Sequence, residues 1–287
     1  MAERLADVRA RVDGVRQLGA VVNALRGISA TRAQAARGQL AAVDSYLATI
    51  GASIGQALAL APEARRDGAA HARGSALLLF GAEEGFVGAF SERLLDAAAA
   101  ELDGSSLFLI GTRAAAIAAE RGVVGTWQGA MPSHSAGIPK LADRIAEALY
   151  PRLAAGEIGG LDTIYARWEP GVGFAVQRDR LFPLDMSAMS PARAAVAPLA
   201  NLRPESLLGE LTAEYLHAQL CHAALHAFAA ENQARMETMA SAHRQVERRL
   251  SALRATERLV RQEEITAEIV ELAAGEAASR ASRRSEG

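Results

Sequence analysis

Apolar residues near the start of the chain recur at Leu5, Val8, Val12 and Val15, spaced alternately three and four apart. That spacing is the seam of a helix packing against another helix. The stripe then shifts by one position and continues through Leu18, Val22, Leu25 and Ile28, a change that alters the local winding of a coiled coil. No proline precedes Pro62, so residues 1–60 are expected to form one long helix. Gly14, Gly19 and Gly27 each cost a helix up to ~1 kcal/mol against alanine. They fit a close approach by another backbone, or they are merely tolerated.

The other end of the chain repeats the pattern. Residues 205–276 contain no proline, and Pro204 followed by Glu205 makes a good helix start. Leu208, Leu211 and Tyr215 open an apolar stripe, which resumes at Val246, Leu250, Leu253 and Val260. Glu257 stands where an apolar residue is due, and Ile265, Ile269 and Leu272 carry the stripe on. Glu231 with Arg235 and Glu257 with Arg261 are oriented i,i+4 pairs that favour the helix modestly. Two long amphipathic helices at opposite ends of one chain most simply pair antiparallel, as a coiled-coil rod.

Between them the period changes. Pro62, Gly68 and Gly74 mark a linker, and SALLLF, SLFLIG (106–111) and DTIYARW (162–168) are short apolar runs suited to buried strands. Alanine-rich helical patterns lie between them at 91–103, 112–121 and 138–155. Alternating strands and helices predict a small, Rossmann-like α/β layer over 61–204. FAVQRDRLFPLD (174–185) adds an edge strand, because Pro183 is poorly tolerated centrally. Residues 186–204, with three prolines, are expected to be a connecting loop. The division is therefore 1–60, 61–204 and 205–276, with a disordered basic tail at 277–287.

Composition narrows the function. The chain of 287 residues is half apolar and 5% aromatic, which leans towards helix. A net charge of −2 gives no global footprint for nucleic acid. On the first helix, however, Arg16, Arg26, Arg32 and Arg37 form a one-sign run, either a solvated face or a surface for an acidic partner. The single lysine, Lys140, follows Pro139, so no Walker A motif exists. Cys221 is the only cysteine, which excludes an intrachain disulfide and a cysteine-rich zinc site. No signal core and no apolar span of membrane length is visible, so membrane association is expected to run only through partners.

The usual chemical sites fail one by one. GAEEGFVG (81–88) follows a strand, but Glu83 and Phe86 stand where a dinucleotide fingerprint needs glycine, and two acids would repel a pyrophosphate. It reads instead as a glycine-bent strand-to-helix turn. His222 and His226 share a helix face, yet Ala223 replaces the glutamate of a metalloprotease motif and two histidines leave zinc short of ligands. With His217 they read as helix-surface residues. Ser133 and Ser135 flank His134 in a flexible loop with no orienting acid. No catalytic, cofactor-binding or metal-binding residue is expected.

Residues 261–278, RQEEITAEIVELAAGEAA, resemble the C-terminal signature of the F-type ATP synthase gamma subunit: Ile265, Thr266, Glu268, Glu271 and Gly275 match, as do Arg261 and Gln262 before them. VNALRGISATRAQAARGQ is similar to the family's basic N-terminal helix, with Leu25 at a position usually methionine. GAEEGFVGAF resembles its glycine turn, with Glu84 at the place of an arginine, and LIGTR, RLFPLD and AENQARMETM resemble further segments. The resemblance implies an off-centre rotor shaft inside a ring of alpha and beta subunits, its α/β domain against epsilon and the membrane c-ring. The complex would lie peripherally on the cytoplasmic side of a bacterial inner membrane. It also implies that Arg261, Gln262, Thr266 and Glu268, with Leu25 and Arg26 opposite, contact beta. Glu276, the segment around His243, Arg244 and Gln245, and QLGAVV (17–22) depart from the pattern and suggest a divergent branch, such as a sodium-translocating type. The residues alone leave two other readings open: a small-molecule-binding Rossmann-like protein with helical dimerisation arms, and an unrelated coiled-coil scaffold.

Overall fold

The computed structural model describes residues 5–60, 74–102, 104–169, 171–185, 189 and 200–285, with side chains described as far as 276. The elements run α1 (Leu5–Leu60), β1 (Ser75–Phe80), α2 (Phe90–Leu102), β2 (Ser105–Ile110), α3 (Thr112–Glu120), β3 (Trp127–Gly129), α4 (Ile138–Ala154), β4 (Gly160–Glu169), β5 (Gly173–Phe182) and α5 (Pro204–Ser285). The helix thus continues through residues expected to form a disordered tail. The expected linker at 61–73 and nearly all of the loop at 186–199 lie outside the described residues.

The strands form one sheet in the order β3-β2-β1-β4-β5, parallel except for the antiparallel β4–β5 pair. β1 is the reason SALLLF reads as an unbroken apolar run. A central parallel strand is covered on both faces, so alternation disappears. Leu78 and Phe80 enter one core with Phe108, Ile110 and the inner face of α4; Leu77 and Leu79 enter the other with Leu107, Leu109, α2 and α3. β5 takes the edge, as Pro183 requires. The three-residue β3 was not legible as a strand: TWQG has neither length nor alternation.

The chain divides into two compact units, Ile28–Thr238 and the pair Met1–Gly27 with Met239–Gly287. This partition differs from boundaries drawn at the helix ends. The first core explains why: it takes in Ala36 from α1 and Leu216, Leu220, Leu225 and Phe228 from α5, so these stretches of both helices belong with the sheet.

The helix-pair unit is antiparallel. The Leu5 amide donates to the Glu264 carboxylate at 3.3 Å, Arg9 meets Glu257 at 3.2 Å, and Val12 packs with Leu250 and Leu253. Glu257 therefore interrupts the apolar stripe in order to pair with Arg9 across the seam. A Cβ at Gly19 would stand 3.0 Å from Val246 Cγ1, so this glycine admits the facing helix, although a side chain rather than backbone makes the approach. At Gly14 and Gly27 a Cβ would meet nothing within 4 Å. The shifted stripe is only half correct, for Val22 is buried while Leu18 and Ile28 are exposed.

Candidate functional site

The turn after β1 is held by more partners than any loop needs for closure. Glu83 turns its carboxylate back onto the N-terminus of α3. Its Oε2 accepts the peptide N–H of Thr112 at 3.0 Å and of Met131 at 2.9 Å, and Oε1 lies 3.0 Å from the Thr112 hydroxyl. Exposed amides and the helix dipole make such a terminus an anion seat. Here the chain fills it with its own carboxylate. Gly111, at φ 107, makes the approach feasible, since a Cβ there would lie 2.5 Å from the Ala82 carbonyl oxygen. The dinucleotide reading thus fails for a reason stronger than a broken glycine fingerprint.

The same turn is gripped from α5. Glu231 accepts the peptide N–H groups of Glu83 and Glu84, each at 3.2 Å, and pairs with Arg235 at 2.5 Å. Arg235 Nε donates to the Gly85 carbonyl at 3.0 Å. Both side chains are almost wholly buried, so this pair does far more than support a helix surface. Burial pushes the Glu231 carboxyl above its ordinary value, while Arg235 and the two amides act to keep its charge. Glu84 reaches Arg32 of α1 at 3.6 Å. Arg37, from the same basic run, bonds Gln233 at 2.8 Å and lies over the Trp168 ring at 4.3 Å. Arg32 and Arg37 are thus engaged within the unit, not spread over a solvated face.

The histidines correct a second expectation. They are half-buried in packing, not on an open helix surface. His226 stacks on Tyr165 and lies 4.5 Å from His222 between ring centroids, while His222 meets Asp44 at 3.2 Å and His217 meets Asp143 at 3.0 Å. Loss of solvation, then the neighbouring His222, pulls His226 down to about 4. Among the described residues no group of His, Cys, Asp and Glu is arranged to hold a metal ion. Ser135 begins a 3₁₀ turn that runs straight into α4, in place of a flexible loop, and His134 has no hydrogen bond to it from its side chain.

The helix-pair unit has the opposite character. Arg261, Gln262, Thr266 and Glu268 are all exposed, and the Thr266 hydroxyl donates to the Gln262 carbonyl at 2.8 Å. Apolar side chains stand open beside them: Leu259 is 61% exposed, Ile269 60% and Leu272 74%. The stripe that sequence periodicity assigns to the helix seam is therefore uncovered beyond Val260, because α1 reaches Glu264 with Leu5. Leu25 and Arg26 are half-buried. The register that pairs Arg9 with Glu257 sets them roughly 30 Å along the helix pair from Arg261, at ~1.5 Å rise per residue. They form a second locus and do not face the first. Charge also changes sign along α5: Arg244, Arg248, Arg249, Arg254, Arg258 and Arg261 dominate one stretch, whereas Glu263, Glu264, Glu268, Glu271 and Glu276 follow with no basic residue among them.

Comparisons with known proteins bear on this arrangement. The family model described as ATP synthase matches residues 4–278. The ATP synthase gamma chain of Streptomyces griseus is 27% identical over 220 residues, covering 71% of this chain and 72% of that protein. That of Clavibacter michiganensis is 27% identical over 282 residues, covering 89% and 91%. Among solved structures, a chain of the Euglena gracilis mitochondrial ATP synthase, comprising OSCP, F1 and c-ring in rotational state 3, shares the fold with a TM-score of 0.66 at 12% identity, over 97% of this chain and 95% of that one. Among the described residues no helix is long and apolar enough to cross a membrane. A paired-helix unit, a five-stranded layer and a family match over nearly the whole length agree: the chain belongs to the ATP synthase family, as one of its gamma chains.

Proposed function

We propose that the chain is the central-stalk rotor of an F-type ATP synthase and does no chemistry of its own. The observation that carries this is the uncovered band of α5 from Leu259 to Leu272, where apolar and acidic side chains stand exposed along a continuous helix. A free helix end does not keep so many apolar groups in water without a partner to cover them. In this reading Arg261, Gln262, Thr266 and Glu268 contact a beta subunit within a ring of alpha and beta subunits, with Leu25 and Arg26 forming a separate contact lower on the shaft. The α/β layer rests against epsilon and the membrane c-ring, and the complex is peripheral on the cytoplasmic side of the bacterial inner membrane.

The mechanism follows from asymmetry. The faces of α5 in this band differ: Ile265, Ile269 and Leu272 share one by their spacing, flanked by Gln262 and Thr266 on one side and by Glu268 on the other. Each orientation of the shaft then offers a given beta subunit a different contact. Only such a difference can shift that subunit's conformational equilibrium, and with it nucleotide affinity. Arg261 suits the role because its planar fork can hold a carboxylate by two hydrogen bonds. Nucleotide is left to alpha and beta; the anion seat at the start of α3 is filled by Glu83.

The test has two parts. Affinity capture of the tagged chain from its native source is expected to bring down alpha, beta and epsilon in fixed ratio. In the assembled complex, Arg261→Ala with Gln262→Ala is expected to lower torque in single-molecule rotation while leaving the chain folded. Unaltered torque removes the contact assignment; absence of alpha and beta from the captured material removes the rotor reading.

A further inference from the structure

The turn 81–85 is tied to three helices and to the loop at Met131, and the ties differ in kind from the packing around them. Ala36 and Phe228 in one core and Ala230 in the other seat α1 and α5 on the sheet by apolar contact. Such contact is strong but non-directional, and it resists rotation of one element over another weakly. Hydrogen bonds lose strength steeply with angle. In this turn, hydrogen bonds accepted by Glu83 fix it to α3 and to Met131, and Glu231 and Arg235 fix its peptide groups to α5; Glu84 adds an ion pair to Arg32 of α1 at 3.6 Å.

A buried ion pair is a poor way to gain stability, because desolvation offsets much of its attraction. The Glu231–Arg235 pair is 3% and 5% exposed at its side chains, yet its bonds leave α5 and terminate on the turn. Geometry, rather than stability, is what the pair supplies. We propose that Glu231, Arg235, Glu83 and Glu84 are positioning residues, forming a clasp that sets the angular stiffness between the α/β layer and the parts of α1 and α5 packed on it. This rests on the rotor reading, since a stiff joint matters to a chain that carries torque.

The test is made on the assembled complex, with the alpha and beta ring fixed to a surface and a gold nanorod attached to the α/β layer. The variance of rod angle during the pause before ATP binds reports joint stiffness directly. Arg235→Gln removes the charge and both directional bonds, and the variance is expected to rise at least about twofold. Arg235→Lys, keeping the charge but not the fork, is expected to fall between the two. A purely stabilising role would lower the melting temperature of both variant complexes without moving the variance, and that result overturns the clasp. Should Arg235→Gln fail to assemble, Glu84→Gln decides, since its side chain is half exposed and the change keeps its size. A variance like that of the wild type in Glu84→Gln would then be the overturning result, and a smaller but clear rise the supporting one. A wild-type complex that does not rotate on ATP defeats the rotor reading itself, an outcome distinct from rotation with unchanged stiffness.

Discussion

The two units solve the problem of burying apolar side chains in opposite ways. In Ile28–Thr238, Phe80, Phe108, Leu78, Leu79 and Ile110 are completely enclosed, and buried charges such as Glu231 and Arg235 have partners. In the helix-pair unit the seam is a single file of Val8, Val12, Val22, Val246, Leu250 and Leu253, and large apolar groups remain in water on both helices. The larger unit encloses its core between helices on both faces of the sheet, whereas the helix pair buries one narrow seam and leaves much of α5 exposed.

The sharpest way to break that comparison is to hollow each unit in turn. Phe108→Ala removes a ring that is fully buried and lies 6.0 Å from the Trp127 ring. It is expected to cost about 3–5 kcal/mol in urea unfolding of the isolated chain, because the enclosed site cannot collapse. Leu253→Ala, in a seam open to solvent on both sides, is expected to cost no more than ~2 kcal/mol, the low end for such changes. Equal losses would mean that the helix pair is as well packed as the sheet, and the contrast would fall.

Acid sharpens it next. His226 is held neutral in the larger unit, pulled down to about 4 by burial and by His222, with Arg167 acting in the same sense and Asp44 and Asp179 opposing. His222 is shifted downward too, again chiefly by burial. A depressed histidine takes up protons more readily when the chain is unfolded. Stability is therefore full above the unfolded value near ~6.5 and falls as pH drops towards 4, levelling off below it. Because the ring is only partly enclosed, the loss assigned to His226 is put at about 1–2 kcal/mol after screening. His226→Phe, which keeps the stack on Tyr165, is expected to flatten this part of the profile. An unchanged slope between pH 6.5 and 4 in that variant would show that the histidine is not the group responsible.

This contrast also explains what could be read from the sequence. β1 and β2 were visible because a doubly buried strand has to be apolar throughout, as in SALLLF. The helices of the layer were visible because alanine-rich runs stood between them. The seam was visible where both helices contribute, from Val8 to Val12 and from Val246 to Leu253. It was misread beyond Val260, because periodicity reports that a face is apolar and not which chain covers it. The turn 81–85 was legible only as a place where nucleotide does not bind. That Glu83 would cap α3 depends on a contact 29 positions away, and that Glu231 and Arg235 would leave their own helix to hold the turn depends on contacts some 150 positions away. An i,i+4 spacing carries no trace of that.

Glycines give a finer test within the helix pair. Gly14→Ala places a methyl group where nothing lies within 4 Å, and it is expected to stabilise the isolated chain by about 0.5–1 kcal/mol through helix propensity alone. Gly19→Ala meets Val246 Cγ1 at 3.0 Å, so the same propensity gain is offset by displacement of the facing helix. Thermal unfolding should separate the two variants, with Gly14→Ala the more stable. If Gly19→Ala gains as much, the two helices are not in close contact at that level, and the seam is shorter than described.

The smallest effect is the most telling for function. Ile269→Ser changes a side chain that is 60% exposed. In the isolated chain it is expected to shift stability by less than ~0.5 kcal/mol, as surface changes do. The same substitution is expected to weaken retention of the chain by the alpha and beta subunits, measured as dissociation of the assembled complex on dilution. An equivalent change inside the larger unit would do the reverse, lowering stability first and assembly only as a consequence. If Ile269→Ser destabilises the isolated chain as much as it loosens the complex, the exposed band is covered by this chain itself in solution. The helix pair would then be complete without partners, and the difference between the two units would vanish.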